Sequence, residues 1–421
     1  MAESVRLEPT AIGLAPSFGF GDRIGLSTAG HIAALRASGL AGRVVPIFAQ
    51  QSVRELARTD RRPEDVLAAA KAGVRSTRWE HPWGADADHL KTKQDVERAV
   101  QAGFTFFTAD PSDFVDEAAE RVSGSALQSA FDAVCGNCGV DPGAYLDRYA
   151  DQTHPTGDLG VEIGVEEAMQ AALIYLPAVE HVVRIHGWAS RAWEADEPFD
   201  FEVSVDETDS ATSPAAHFIV ANELKRAGVR MTSLAPRFVG AFEKAVDYRG
   251  DLGAFEADLK RHVAIARTVG PYKLSVHSGS DKFAIYPLLH RHAGPLLHVK
   301  TAGTSYLEAL RLLARHRPAM FRDVVQMAIA EFTQARASYS LSTELDSVPA
   351  PREVTDAELE RAYLEAPGAD DARQVLHVAF GGVLRHGEFG PALRELTASC
   401  AAEHADDLVK HFTRHLVAFG A

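Results

Sequence analysis

The chain has 421 residues, 46% of them hydrophobic and 24% charged, with a formal net charge of -15. That length supports one large domain or two ordinary ones, and the composition is that of a globular protein able to bury a sizeable core. The acidic balance lacks the basic face that nucleic acid requires, although a local cluster of Arg and Lys can still receive a small anion.

Met1 to Thr10 is polar, unlike a signal peptide, and no run approaches the ~18 consecutive apolar residues of a membrane helix. A soluble, cytoplasmic protein with neither a membrane nor a nucleic-acid partner is therefore expected. Gly19-Phe-Gly21, ahead of Asp22 and Arg23, is glycine-rich but lacks the third glycine of a dinucleotide loop. Arg43 to Phe48 reads as a strand leading to a helix over Ser52–Arg58. A further strand is expected near Val74–Trp79, followed by the polar stretch Trp83-Gly-Ala-Asp-Ala-Asp-His89. Gly103 to Thr108 is the next strand, ending at Asp110-Pro-Ser-Asp113.

Residues 123–195 look mainly helical. Within them Cys135 and Cys138 form a lone C-x-x-C pair, without the second pair or nearby histidines of a structural zinc site, so reduced thiols are expected. Phe199 to Val205 alternates like a strand. Ser213-Pro214 then supplies an N-cap and first turn for a helix stopped by Gly228. Strand Val229–Ala235, a helix from Phe255 to Thr268, and strands at Lys273–Val276, Leu296–Val299 and Leu376–Phe380 follow. Residues 320–371 read as a second helical insertion.

Alternation of strand and helix implies a parallel sheet covered on both sides. Functional side chains at several separate strand ends favour a closed (β/α)8 TIM-type barrel, written as a single domain over 1–421 with helical insertions at about 123–195 and 320–371. The insertions leave surface for a homo-oligomer.

Four constellations carry chemistry. Asp86-Ala-Asp-His89 packs two carboxylates and an imidazole into four residues, which suits a metal and equally suits a capped turn. His277 and His298 come from apolar strands, where an imidazole needs a partner to offset its desolvation. With His89, they would supply three strand-end ligands and leave positions open for water or substrate. Arg237, Glu243 and Lys244 lie in the apolar loop Ala235–Lys244. A carboxylate there has a raised pKa suited to proton shuttling, unless it merely opens a helix. Glu202 and Asp206 share one face of an alternating strand, pointing into the barrel or forming its polar half.

Taken together, Ser17-Phe-Gly-Phe-Gly-Asp-Arg23, Asp86-Ala-Asp-His89, Ala235-Pro-Arg-Phe-Val-Gly240, Ser275-Val-His-Ser-Gly-Ser-Asp-Lys-Phe283 and His298-Val-Lys-Thr-Ala-Gly-Thr-Ser305 resemble the tagaturonate epimerase family. The resemblance runs from about Pro16 to Leu307. It implies an isomerase of hexuronate catabolism that interconverts D-tagaturonate and D-fructuronate at C4, with a divalent metal (Zn, Mn, Co or Ni) on His89, His277 and His298. It also implies Asp88 and Glu243 as the acid/base pair. Because the C4 hydrogen of a 2-ketouronate is β to the carbonyl and barely acidic, retro-aldol cleavage of C3–C4 through a metal-held enediolate is the expected route. Arg237, Lys273, Lys282 and Lys300 are candidate grips on the keto-sugar acid, with Asp281 and Glu202 as further substrate contacts. A metal-dependent keto-sugar 3-epimerase or aldose–ketose isomerase, and a non-catalytic sugar-acid binding protein, are the alternative readings.

Overall fold

The computed structural model describes residues 5–301 and 303–420, so Met1 to Ser4 of the polar start and Ala302 of the last family block lie outside the described residues. Eight parallel strands close into a barrel: β1 (Ser17–Phe20), β2 (Val45–Ser52), β3 (Gly84–Leu90), β4 (Phe106–Ala109), β5 (Asp200–Val205), β6 (Ser233–Pro236), β7 (Lys273–Val276) and β8 (Leu297–Thr301). Each pairs with its neighbour in chain order, and β8 pairs with β1 in the register Ser17–His298, Gly19–Lys300. This is the expected (β/α)8 architecture.

The pleat explains how such polar strands can form. Along β1, β4 and β5 the apolar residues Phe18, Phe20, Phe107, Phe201 and Val203 belong to the main apolar core. The alternate residues Ser17, Thr108 and Glu202 bond to residues of the neighbouring strands on the lumen side. The lumen is thus polar where barrels of this class usually carry Val, Ile and Leu. Apolar burial concentrates instead between strands and helices, at about 25 cal/mol per Å² removed from water. Gly19 shows how tight the lumen is, because a Cβ there would lie 1.6 Å from Gln50 Oε1.

Local chemistry sets the helix starts. Ser213 accepts from Ala216 N, with Pro214 in the first turn of Pro214–Arg226. Ser52 and Glu55 form a reciprocal capping box at Val53–Thr59.

Several expectations fail for physical reasons. Val74 to Thr77 ends the helix Pro63–Thr77, and the strand starts later, at Gly84. Leu376–Phe380 is not a strand. It ends the helix Asp370–Val378 and begins Phe380–Arg385, because a short buried apolar run is compatible with either state. The region 123–195 is helical but contains the antiparallel hairpin Gln152–Thr156/Leu159–Ile163. After the helix Pro318–Ala335, the second insertion is mostly irregular up to Glu358, broken by three short 3-10 turns.

The C-terminal helices form a second apolar cluster around Leu310, Phe321, Tyr363 and Phe380. Arg23, in the loop after β1, ties this cluster to the barrel. Its guanidinium stacks on Phe380 at 3.7 Å, pairs with Glu55 at 2.6 Å and donates to His377 O at 3.2 Å. Cys135, Cys138 and Cys400 are free thiols, and among the described residues no helix is long and apolar enough to cross a membrane.

Candidate active site

The C-terminal ends of β3, β4, β5 and β7 bring their side chains to one place. Between Ala87 and Leu90 the pairing of β3 with β4 shifts register, and His89 adopts a left-handed φ of 56°. Asp88 and His89, neighbours in sequence, both contribute to this one site. His89 Nδ1 hydrogen-bonds Asp110 Oδ2 at 3.0 Å, just past the end of β4. Its Nε2 lies 3.8 Å from Asp88 Oδ2 and 3.9 Å from Glu207 Oε1.

His277 follows β7 and stands edge-on to His89, with ring centroids 5.2 Å apart. Its Nε2 bonds Glu202 Oε1 at 2.7 Å. Its buried Nδ1 makes no hydrogen bond, and Asp206 Oδ1 lies 3.3 Å away. Each imidazole therefore has one nitrogen held by a carboxylate, the arrangement by which proteins orient metal-binding histidines.

Below the two rings, Lys300 Nζ sits 2.7 Å from each of Asp86, Asp88 and Glu202, and donates to Thr108 Oγ1. Burial opposes charge on every one of these groups, and their neighbours decide the outcome. Burial wins at Asp86, whose pKa rises to about 7 despite Lys300. Asp88 is desolvated too, yet His89, Lys300 and His277 hold it well below the carboxylate range. Glu202 is held down likewise by Lys300 and His277. Burial works against a proton on His89, but Asp88, Asp110 and Glu207 raise its pKa to about 10.

The donor set can be tested for a metal. Asp88, His89 and His277 each offer a ligand atom within 4.8 Å of the others, and His89, Asp110 and Glu207 form an overlapping set. Nitrogen and oxygen donors suit a divalent transition ion. The unpartnered His277 Nδ1 and the carboxylates that favour positive charge at His89 both fit one.

These groups adjoin a cavity of about 520 Å³ lined by His277, Asp206, Glu207, Arg54, Arg237 and Lys244, among others. Ala337, Tyr339 and Ser340 from the C-terminal region also line it. Of the residues singled out from sequence, the structure brings together Asp88, His89, His277, Glu202 and Lys300, with Arg237 on the cavity wall.

The remaining candidates lie elsewhere. His298 falls outside the His89–His277 group. It is one inward position below Lys300 on β8, with Nδ1 on Ser17, its ring against Phe106 and its Nε2 unpartnered. Lys273 donates to Ala15 O and Ser17 Oγ at the barrel floor. Lys282 is consumed by the carbonyls of Glu243, Val246 and Ser280. Asp281 pairs with Arg373 under the C-terminal helices.

Glu243 is not among the cavity-lining residues. It accepts from Gln374 and Ser342 and faces Arg249 at 3.5 Å, and these contacts, though opposed by burial, lower its pKa rather than raise it. The loop is apolar in sequence, but the side chain finds polar partners 99 and 131 residues away. Sequence reasoning missed Asp110, Glu207 and Arg54 as site residues, and it placed Lys244 in the Ala235–Lys244 constellation without giving it a role. The available signal was position, since Asp110 and Glu207 each stand just beyond a strand end.

Comparison with known proteins gives the family. The family model described as tagaturonate epimerase matches residues 2–419. The tagaturonate/fructuronate epimerase of Thermotoga maritima is 39% identical over 412 residues, covering 97% of this chain and 82% of that protein. A glycerol-complexed crystal structure of the fructuronate-tagaturonate epimerase from Cohnella laeviribosi superposes with a TM-score of 0.91 at 34% identity, covering 98% of this chain and 83% of that one. The native crystal structure of that enzyme gives the same TM-score and identity. With a match along nearly its whole length, the chain belongs to the tagaturonate epimerase family and is an isomerase.

Proposed function

We propose that this chain interconverts D-tagaturonate and D-fructuronate by inverting C4, with a divalent metal and retro-aldol chemistry. The observation that carries the reading is the pair His89 and His277, each anchored by a carboxylate on one ring nitrogen, beside an Asp88 that His89 and Lys300 keep ionised against burial. His89 Nε2 and His277 Nδ1 would hold the metal, with oxygen donors from Glu207 and Asp206. When bound, that ion supplies Lewis-acid polarisation of the substrate's C2 carbonyl.

The chain's own groups do the rest. Asp88, ionised and close to the histidine pair, is the base that takes the O4 proton as C3–C4 breaks. The C4 aldehyde turns within the cavity, C3–C4 re-forms on its other face, and Asp88 returns the proton to O4. Glu243 is left without a proton-handling role, because Gln374, Ser342 and Arg249 hold its carboxylate. His89 and Lys300 keep Asp88 ionised, and Glu202 holds His277 in place.

Metal analysis combined with a tagaturonate turnover assay, before and after chelation, tests the reading. Bound metal with chelator-sensitive formation of fructuronate is expected. Chelator-insensitive turnover would remove the metal from the reading, and metal without turnover would discard the substrate. Turnover in deuterated water should leave C4 unlabelled, whereas solvent deuterium in the epimerised carbon would replace bond cleavage with proton transfer.

A further inference from the structure

A ketouronate differs from the corresponding ketose by one carboxylate, so something in the cavity must recognise that group. Three of the four candidate cations are committed elsewhere: Lys273 at the barrel floor, Lys282 among carbonyls and Lys300 among carboxylates. Three cationic side chains line the cavity. Arg54 is already ion-paired with Glu207 at 2.7 Å and lies over the Tyr339 ring.

Two positive groups then remain for an anionic ligand. Among the described residues, the Arg237 side chain has no hydrogen bond or ion pair, while its backbone is fixed by Thr212. Lys244 Nζ donates to Ser278 Oγ at 2.8 Å and has no carboxylate partner among the described residues, so further N–H donors remain. We propose that Lys244, together with Arg237, is the seat for the substrate's carboxylate and makes the cavity select a sugar acid over the neutral sugar of the same length. This rests on the site being that of a ketouronate epimerase.

Position strengthens the assignment. Ser278 directly follows His277, so the lysine that would grip the carboxylate is tied to the segment that carries a reacting-end histidine. An acid anchored there is placed at a set distance from His277. A neutral sugar of equal length lacks that anchor, though it can still offer hydroxyls to Asp206, Glu207 and Glu117 on the same wall. The competing account is that Lys244 only staples two loops together.

Calorimetric binding of D-gluconate and of D-glucitol, its neutral counterpart, separates the two accounts without depending on turnover. The full chain and its Lys244→Met and Lys244→Arg variants are compared, with KM and kcat for tagaturonate measured alongside. Lys244→Met should weaken gluconate binding and raise KM by about 10- to 100-fold, the range of a charge-assisted hydrogen bond, with glucitol changed less than about twofold. Lys244→Arg should recover most of the gluconate affinity. Equal weakening of gluconate and glucitol, unchanged gluconate binding in Lys244→Met, or no gluconate binding by the unmodified chain each overturns the proposal. Selective gluconate loss with no tagaturonate turnover by the unmodified chain would support the seat while refuting the functional reading.

Discussion

The rim and the floor of the barrel lumen contain the same residue types and use them in opposite ways. At the rim, His89 lies among Asp88, Asp110 and Glu207, and these carboxylates overcome burial to raise its pKa to about 10. At the floor, His298 is fully enclosed whereas the His89 side chain keeps 12% of its surface, and burial outweighs the attraction of Glu202, with Lys273 and Lys300 adding to it, so its pKa falls to about 3. The lysines differ in parallel. Burial takes Lys273 down to about 8 despite Asp200, whereas three carboxylates hold Lys300 well above its ordinary value. The floor is sealed by Asp200, which accepts from Ile12 N and Gly13 N, and by the apolar contacts of Ile12, Ile47 and Phe106. A histidine at a strand end is therefore not yet a reactive histidine, because the carboxylates facing it decide.

That contrast predicts separable losses. Replacing His277 by Ala at the rim should reduce kcat by about 10³-fold or more, since it removes a positioned group and a proposed metal ligand together. His298→Asn at the floor should keep kcat within about tenfold and cost about 1–3 kcal/mol of stability through its lost Ser17 bond. A collapse of turnover and metal content in His298→Asn would instead restore it to the ligand set.

Lys300→Met leaves three buried carboxylates facing one another and should cost about 3–5 kcal/mol by denaturant unfolding. Asp110→Asn should weaken metal affinity by about 10- to 100-fold, because it disturbs the bond that orients His89. The smallest effect is a slope. Burial lowers His31 to about 3 even though Asp22 pulls the other way. Between that value and 6.5 the unfolded chain binds the extra proton, so stability rises with pH and is lost on acidification through this window. His31 should contribute at most about 1.4 kcal/mol per pH unit there. An unchanged slope in His31→Gln would remove it as a contributor.

The parts of this molecule legible in its sequence are those where one face is plainly apolar. β5 and β7 could be read from alternation or a short apolar run, and the Ser213-Pro214 cap marked its helix to within a residue. β3 was hidden, because Gly-Ala-Asp-Ala-Asp-His-Leu has few strand-forming residues and points its carboxylates into the lumen. For the site, His89 and His277 stood out as imidazoles at strand ends. Lys244 stood in a candidate loop without a role and Glu207 was an ordinary loop charge until the fold placed both on one cavity wall, and Glu243 was misread because its partners are remote in sequence.

The polar lumen has a consequence for how this fold can change over generations. The apolar ring between strands and helices makes the wall, while the chemistry hangs on side chains that add little to that ring. Lumen residues can then be exchanged in charge-balanced sets, a lysine together with one of its carboxylates, without rebuilding the barrel. New sugar specificities are therefore open to a few lumen substitutions made together, with the apolar wall left unchanged.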